Sequence, residues 1–150
     1  MKLDILGLKT LSVLNRCMDN LGKDVFDGLD WIPLSDSKTY TRIAQGRTAG
    51  VFQLEGISAQ RGCMDLKPTK IGDVVAAMAL FRPATQNSGA TRSYINRRKG
   101  TESAPERNAI ITKHTARTYG IMLFQEQVIS ILRDLGMTPD DLTSFLKAVK

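Results

Sequence analysis

The side chains that could do chemistry are few and scattered. One histidine, His114, stands in a polar basic stretch with no companion ligand at a metal-binding spacing. Cys17 and Cys63 lie 46 positions apart, which makes neither a metal-type pair nor a disulfide framework and reads as two reduced thiols. Asp140 and Asp141 are adjacent, but they follow Thr138-Pro139, where acids suit the positive end of a helix better than a metal site. There is no Walker-type lysine loop, no nucleophile elbow and no HxxxH or CxxC. On residue types alone, nothing here completes a reaction.

Two residues near the start differ from this pattern. Lys2–Leu6 alternates polar and apolar, which suits a short strand ending at Gly7. In an extended chain residues i and i+2 share a face, so Lys2 and Asp4 project together while Leu3 and Ile5 enter a core. A lone strand leaves its backbone groups unpaired and is unstable by itself. Its partner strands must come from elsewhere in this chain or from upstream in a longer polypeptide.

Charge is distributed unevenly along the 150 residues. The formal net charge is +6, of which +5 falls between Thr85 and Arg117 and only +1 on the remainder. That window holds Arg92, Arg97, Arg98, Lys99, Arg107, Lys113 and Arg117 against Glu102 and Glu106, with Asn, Ser, Gly and Pro between them. It reads as a loop-rich exposed segment whose mobile donors suit a phosphate backbone, or equally as a solvated surface loop. Tyr94 is its one aromatic, so a base-stacking platform has little support.

The elements that must position these groups are mostly helical. A helix is expected from Lys9 to about Asn20, burying Leu11, Leu14 and Met18 and stopping at Gly22. Trp31-Ile32-Pro33-Leu34 reads as an extended link, because Pro33 disfavours helix at Ile32. Asp36 caps a helix that ends near Gly46. Gly50–Glu55 reads as a short strand or an extended approach to a helix. Thr69 caps Lys70–Phe81, whose apolar second half requires burial, and Arg82-Pro83 ends it. Ile121–Leu135 is a further helix closed by Gly136, and Thr138-Pro139-Asp140-Asp141 starts the last one. With 42% hydrophobic and 24% charged residues the chain is not collagen-like, mucin-like or wholly disordered. Its longest apolar run, around Val74–Phe81, is about half the roughly 20 residues that span a membrane. The N-terminal Met1-Lys2-Leu3-Asp4 does not read as a signal peptide, and the expected compartment is the cytoplasm.

Taken in order, several strings form a series: Lys2-Leu3-Asp4-Ile5-Leu6-Gly7-Leu8-Lys9-Thr10-Leu11, Ile32-Pro33-Leu34, Gly50-Val51-Phe52-Gln53-Leu54-Glu55, Ala79-Leu80-Phe81-Arg82-Pro83, Ser88-Gly89, and Thr118-Tyr119-Gly120-Ile121-Met122-Leu123-Phe124-Gln125-Glu126-Gln127-Val128. The series resembles the replicative C-family DNA polymerases of bacteria and their phages, from the end of the palm into the fingers. The resemblance implies a mainly α fold with short β segments (α+β), a terminal palm strand at residues 1–10 and a helical fingers domain at 11–150, incomplete at its C-terminal end. It implies DNA-directed nucleotidyl transfer, with primer-template DNA and dNTPs as ligands, the remaining polymerase polypeptide and possible replisome subunits as partners, and no membrane.

In that family three palm aspartates hold two magnesium ions for an in-line displacement, which needs clustered hard oxygen ligands. Asp4 matches the third aspartate and Lys2 its neighbouring lysine, placed to balance nucleotide phosphate charge. The other two aspartates belong upstream of this stretch, so the resemblance implies that this chain alone does not polymerise. Arg82 is a candidate phosphate contact. Lys147 stands where paired arginines are usual and supplies a point charge without their fork. Arg92, Arg97, Arg98 and Lys99 are the candidate DNA contacts, and Gln125, Glu126 and Gln127 are expected to organise the fingers by hydrogen bonding. Ala84-Thr85 after Arg82-Pro83, and Leu146 before Lys147, depart from the family pattern and suit a divergent, phage-borne member. A different class of function is a stand-alone, non-catalytic module that binds DNA or a host polymerase; an Asp-x-Asp pair encoded directly upstream would favour the polymerase.

Overall fold

The structure is a computed structural model that describes residues 7–22 and 32–149. The described residues form helices: α1 (Lys9–Asn20), α2 (Ser37–Ala44), α3 (Ile57–Leu66), α4 (Ile71–Leu80), α5 (Pro83–Asn87), α6 (Ala90–Arg98), α7 (Ala109–Thr115), a 3-10 turn (Ala116–Thr118), α8 (Gln125–Asp134) and α9 (Pro139–Ala148). No strand occurs among them, so the expected α+β character reduces to a mainly helical fold over this range. The expected palm strand at Lys2–Leu6, and Trp31 of the expected extended link, lie outside the described residues.

Local signals explain the helix ends. The Asp36 carboxylate accepts from the amides of Lys38 and Thr39 and starts α2. Thr138 and Asp141 bond reciprocally at the start of α9, each side chain accepting from the other's amide, with Pro139 in the first turn. Gly22 and Gly136 follow α1 and α8 with φ of 64° and 92°, a left-handed stop that glycine adopts without a side-chain clash. In α4 the cap differs from expectation. Lys70, not Thr69, holds the N-cap position, and Thr69 instead donates its amide and hydroxyl to the Asp73 carboxylate.

The core gathers Ile43, Leu54, Ala59, Cys63, Leu66, Ala76, Ala77, Leu80, Tyr94 and Ile95. Leu54, Leu66 and Leu80 are fully enclosed, each worth about 1.5–3 kcal/mol relative to exposure. α3 packs on both α2 and α4, and its small side chains allow a close approach. Gly62 sets the limit: a Cβ there would lie 2.4 Å from the Phe81 ring.

Four further expectations are corrected. Gly50–Glu55 is neither strand nor extended, because Gly50 and Gln53 take left-handed φ values of 79° and 61°. The segment folds back in consecutive turns, closed by the Thr48 hydroxyl donating to the Leu54 carbonyl at 2.5 Å, and this turns Leu54 into the core. The Thr85–Arg117 window is not loop-rich: α5, α6 and α7 lie within or overlap it, and buried Tyr94 and Ile95 anchor α6. The helix expected over Ile121–Leu135 begins only at Gln125. Tyr119 and Gly120, with φ of 54° and 77°, turn the chain first, and the Gln127 side-chain Oε1 then accepts from the amides of Leu123 and Phe124. On α1, Leu11 and Leu14 are exposed and Met18 is half-buried, so the expected burial of that face is not seen.

Candidate nucleic-acid interface

α6 carries the basic side chains, and its two terminal arginines face inward. Arg98 donates to the carboxylate of Asp73 at 2.7 Å and to the carbonyls of Leu66 and Lys67. Its side chain is 17% exposed and that of Asp73 only 4%. An acid in the first turn of apolar α4 is thereby neutralised, and the same guanidinium satisfies carbonyls at the end of α3. Arg97 donates Nε to Glu102 at 2.8 Å and Nη1 to the Tyr119 carbonyl at 3.1 Å. Partial desolvation pushes the Glu102 carboxyl up, but hydrogen bonds from Ser93, Arg97 and Asn96 outweigh it and leave the group below its ordinary value.

Arg97 and Arg98 are therefore not the mobile exposed donors that the composition implied. Arg92 on the same helix and Lys99 at its C-cap are exposed, as are Arg82 beyond the end of α4 and Lys147 in the last turn of α9. Lys2 and Asp4 lie outside the described residues. Among the described residues no group of three or more His, Cys, Asp or Glu side chains is placed to hold a metal ion. No helix among them is long and apolar enough to cross a membrane.

His114 forms a tie between helices. Its Nε2 lies 2.8 Å from the Asp134 carboxylate, which also accepts from Lys113 Nζ at 2.8 Å, joining α7 to α8. Hydrogen bonds from Lys113 and His114 hold the Asp134 carboxyl below its usual range. Gln127 adds a second tie, donating to the His114 carbonyl at 2.9 Å and the Thr118 hydroxyl at 2.7 Å. It thus fulfils the organising role expected of its block, whereas Gln125 and Glu126 are exposed. Burial pushes the Cys63 thiol up, which leaves it unreactive.

A cavity of about 580 Å³ opens between the start of α4, the 3-10 turn and Phe124. Its walls include Val75, Tyr94, Tyr119 and Phe124, and Lys70 and Arg117 stand on its lining as exposed cations. Tyr94 and Tyr119 meet edge to face, with ring centroids 5.1 Å apart. Burial, with smaller contributions from Tyr119 and Asp73, pushes the Tyr94 phenol up to about 12, so it stays neutral near pH 7. Sequence reading missed this site because its residues come from three separated segments. The one available signal was Asp73, an acid in an apolar helix that needs a buried partner.

Residues 10–149 match the family described as the bacterial DNA polymerase III alpha subunit finger domain. The chain is 36% identical over 137 residues to DNA polymerase III subunit alpha of Campylobacter jejuni, covering 90% of this chain and 11% of that relative. The Aquifex aeolicus protein of the same name is 37% identical over 158 residues, covering 99% of this chain and 13% of that relative. The Deinococcus radiodurans protein is 35% identical over 148 residues, covering 90% and 11%. The chain thus spans little more than a tenth of the length of these relatives. With the match running through every described helix, this chain belongs to the finger-domain family of bacterial DNA polymerase III alpha subunits.

Proposed function

We propose that this chain works as the fingers of a DNA-directed DNA polymerase in the cytoplasm, with residues 1–10 forming the end of the palm strand and 11–150 the fingers. The observation that carries this reading is the finger-domain match over residues 10–149. Exposed Arg92 and Lys99 supply phosphate contacts to primer-template DNA, while Arg97 and Arg98, through their internal partners, hold the helix that presents them. Arg82 and Lys147, with Lys2, supply positive charge to the incoming dNTP. Asp4 contributes one carboxylate to a magnesium site, whose other ligands come from the rest of the polymerase polypeptide; when bound, the metal would supply Lewis-acid activation. The contribution of this chain is then one ligand and a positioning scaffold that also faces the other replisome subunits.

The test is primer extension by the polymerase containing this segment, run beside a DNA-binding titration. Asp4→Ala should abolish extension, at least 1,000-fold as an order of magnitude for lost charge stabilisation, and leave DNA affinity within about twofold. Near-normal extension would remove Asp4 from the site. The 150-residue chain alone should give no extension.

A further inference from the structure

We propose that the cavity between α4, the 3-10 turn and Phe124 binds an unpaired nucleotide of a DNA strand, with the base held in the cavity and its flanking phosphates on Lys70 and Arg117. The proposal rests on the reading of this chain as a DNA-handling finger domain, and it assigns a site that this reading leaves open. At about 580 Å³ the space falls within the ~300–1,000 Å³ typical of sites for nucleotide-sized ligands.

Its walls are chemically suited to a base. Tyr119 and Phe124 are half-buried aromatics on the lining, and Val75 is 47% exposed beside them. Aromatic faces in a cationic cleft are the combination that captures single strands, since every base has a π-face to stack. The edge-to-face contact with buried Tyr94 fixes the Tyr119 ring, so part of the ordering cost is met before binding. Gly72 leaves open space where a side chain would stand, and α4 begins without a side-chain cap.

Charge selects the ligand further. Asp73 is the acid on the lining, and Arg98 neutralises it at 2.7 Å. Lys70 and Arg117 remain, one on α4's N-cap and one on the 3-10 turn. Two cations on separate elements spread positive charge over the lining, which suits a backbone of singly charged phosphodiesters. A base stacked inside a duplex has no free face to offer Phe124, so the interior of duplex DNA does not enter the cavity.

The experiment measures binding of a 12-residue oligo(dT) carrying one 2-aminopurine, and of a blunt 12-base-pair duplex, to the 150-residue chain. Thermal melts accompany each variant. Val75→Glu and Phe124→Leu should each weaken the single strand about tenfold and leave the duplex unchanged. Quenching of 2-aminopurine on binding should be lost in Phe124→Leu. Arg117→Gln should lower the salt slope for the single strand by about 0.7. If Phe124→Leu disturbs folding, Val75→Glu, at an exposed position, carries the test alone.

Unchanged single-strand affinity in Val75→Glu, or equal losses on strand and duplex, would overturn the cavity assignment while leaving the finger-domain reading intact. Binding of dTTP that both variants abolish, with oligo(dT) unaffected, would overturn the choice of a strand. Failure of the chain to bind any DNA would count against this proposal and against the proposed DNA contacts of α6 together, whereas the extension assay tests the polymerase reading separately.

Discussion

The Arg98–Asp73 pair joins α6 to α4 with side chains 17% and 4% exposed, whereas the Asp134 cluster joins α8 to α7 with Lys113 68% and Asp134 31% exposed. Both are 2.7–2.8 Å contacts between opposite charges, so bond length does not separate them. Solvent does. Water screens the Asp134 cluster, as it screens exposed ion pairs generally. At Asp73 the partner cannot be removed without leaving a poorly hydrated charge behind. One junction is held by the penalty for breaking it, the other by a modest attraction.

The largest effect should follow Asp73→Ala. It leaves Arg98 without its carboxylate, and urea denaturation should give a loss of ~3–5 kcal/mol. A loss under ~1 kcal/mol would place this junction with the exposed one. Gln127→Ala tests the ground between them. It removes the acceptor for the Leu123 and Phe124 amides and the donor to the His114 carbonyl, at a half-buried position. Equilibrium unfolding should show a loss of ~1–3 kcal/mol, and faster exchange of those two amides should accompany it.

The smallest effect belongs to Asp134→Asn, and its pH dependence is the sharper measurement. Lys113 and His114 hold the Asp134 carboxyl below its ordinary value in the folded chain. Its contribution is therefore full above the unfolded pKa near ~3.9 and is lost as pH falls through the depressed folded value. Melting temperatures of the parent and Asp134→Asn should differ slightly at pH 7 and converge in acid. Convergence on raising the pH instead would reverse the assigned sign.

Features set by a few neighbouring residues were legible in the sequence. Asp36, the Thr138–Asp141 box, Gly22 and Gly136 each act within one turn, and the structure places them where the chain chemistry says. What depended on distant partners was not. α6 reads as polar loop because its anchors are only Tyr94 and Ile95, and because Arg98 finds its partners 25 to 32 residues away and Arg97 reaches a carbonyl 22 residues away. Gly50–Glu55 alternates like a strand, yet two left-handed residues and a hydroxyl-to-carbonyl bond fold it into turns. Of the four basic residues that the charge pattern set on an exposed segment, Arg92 and Lys99 are exposed and Arg97 and Arg98 are not. The cavity was not legible, because Lys70, Arg117 and Phe124 meet only after the helices have packed.

The Arg98 guanidinium grips the last turn of α3, the first turn of α4 and, through its own backbone, the end of α6. Three helix ends share this one side chain, so substitutions at Arg98 and Asp73 are expected to be non-additive, unlike changes at separate sites.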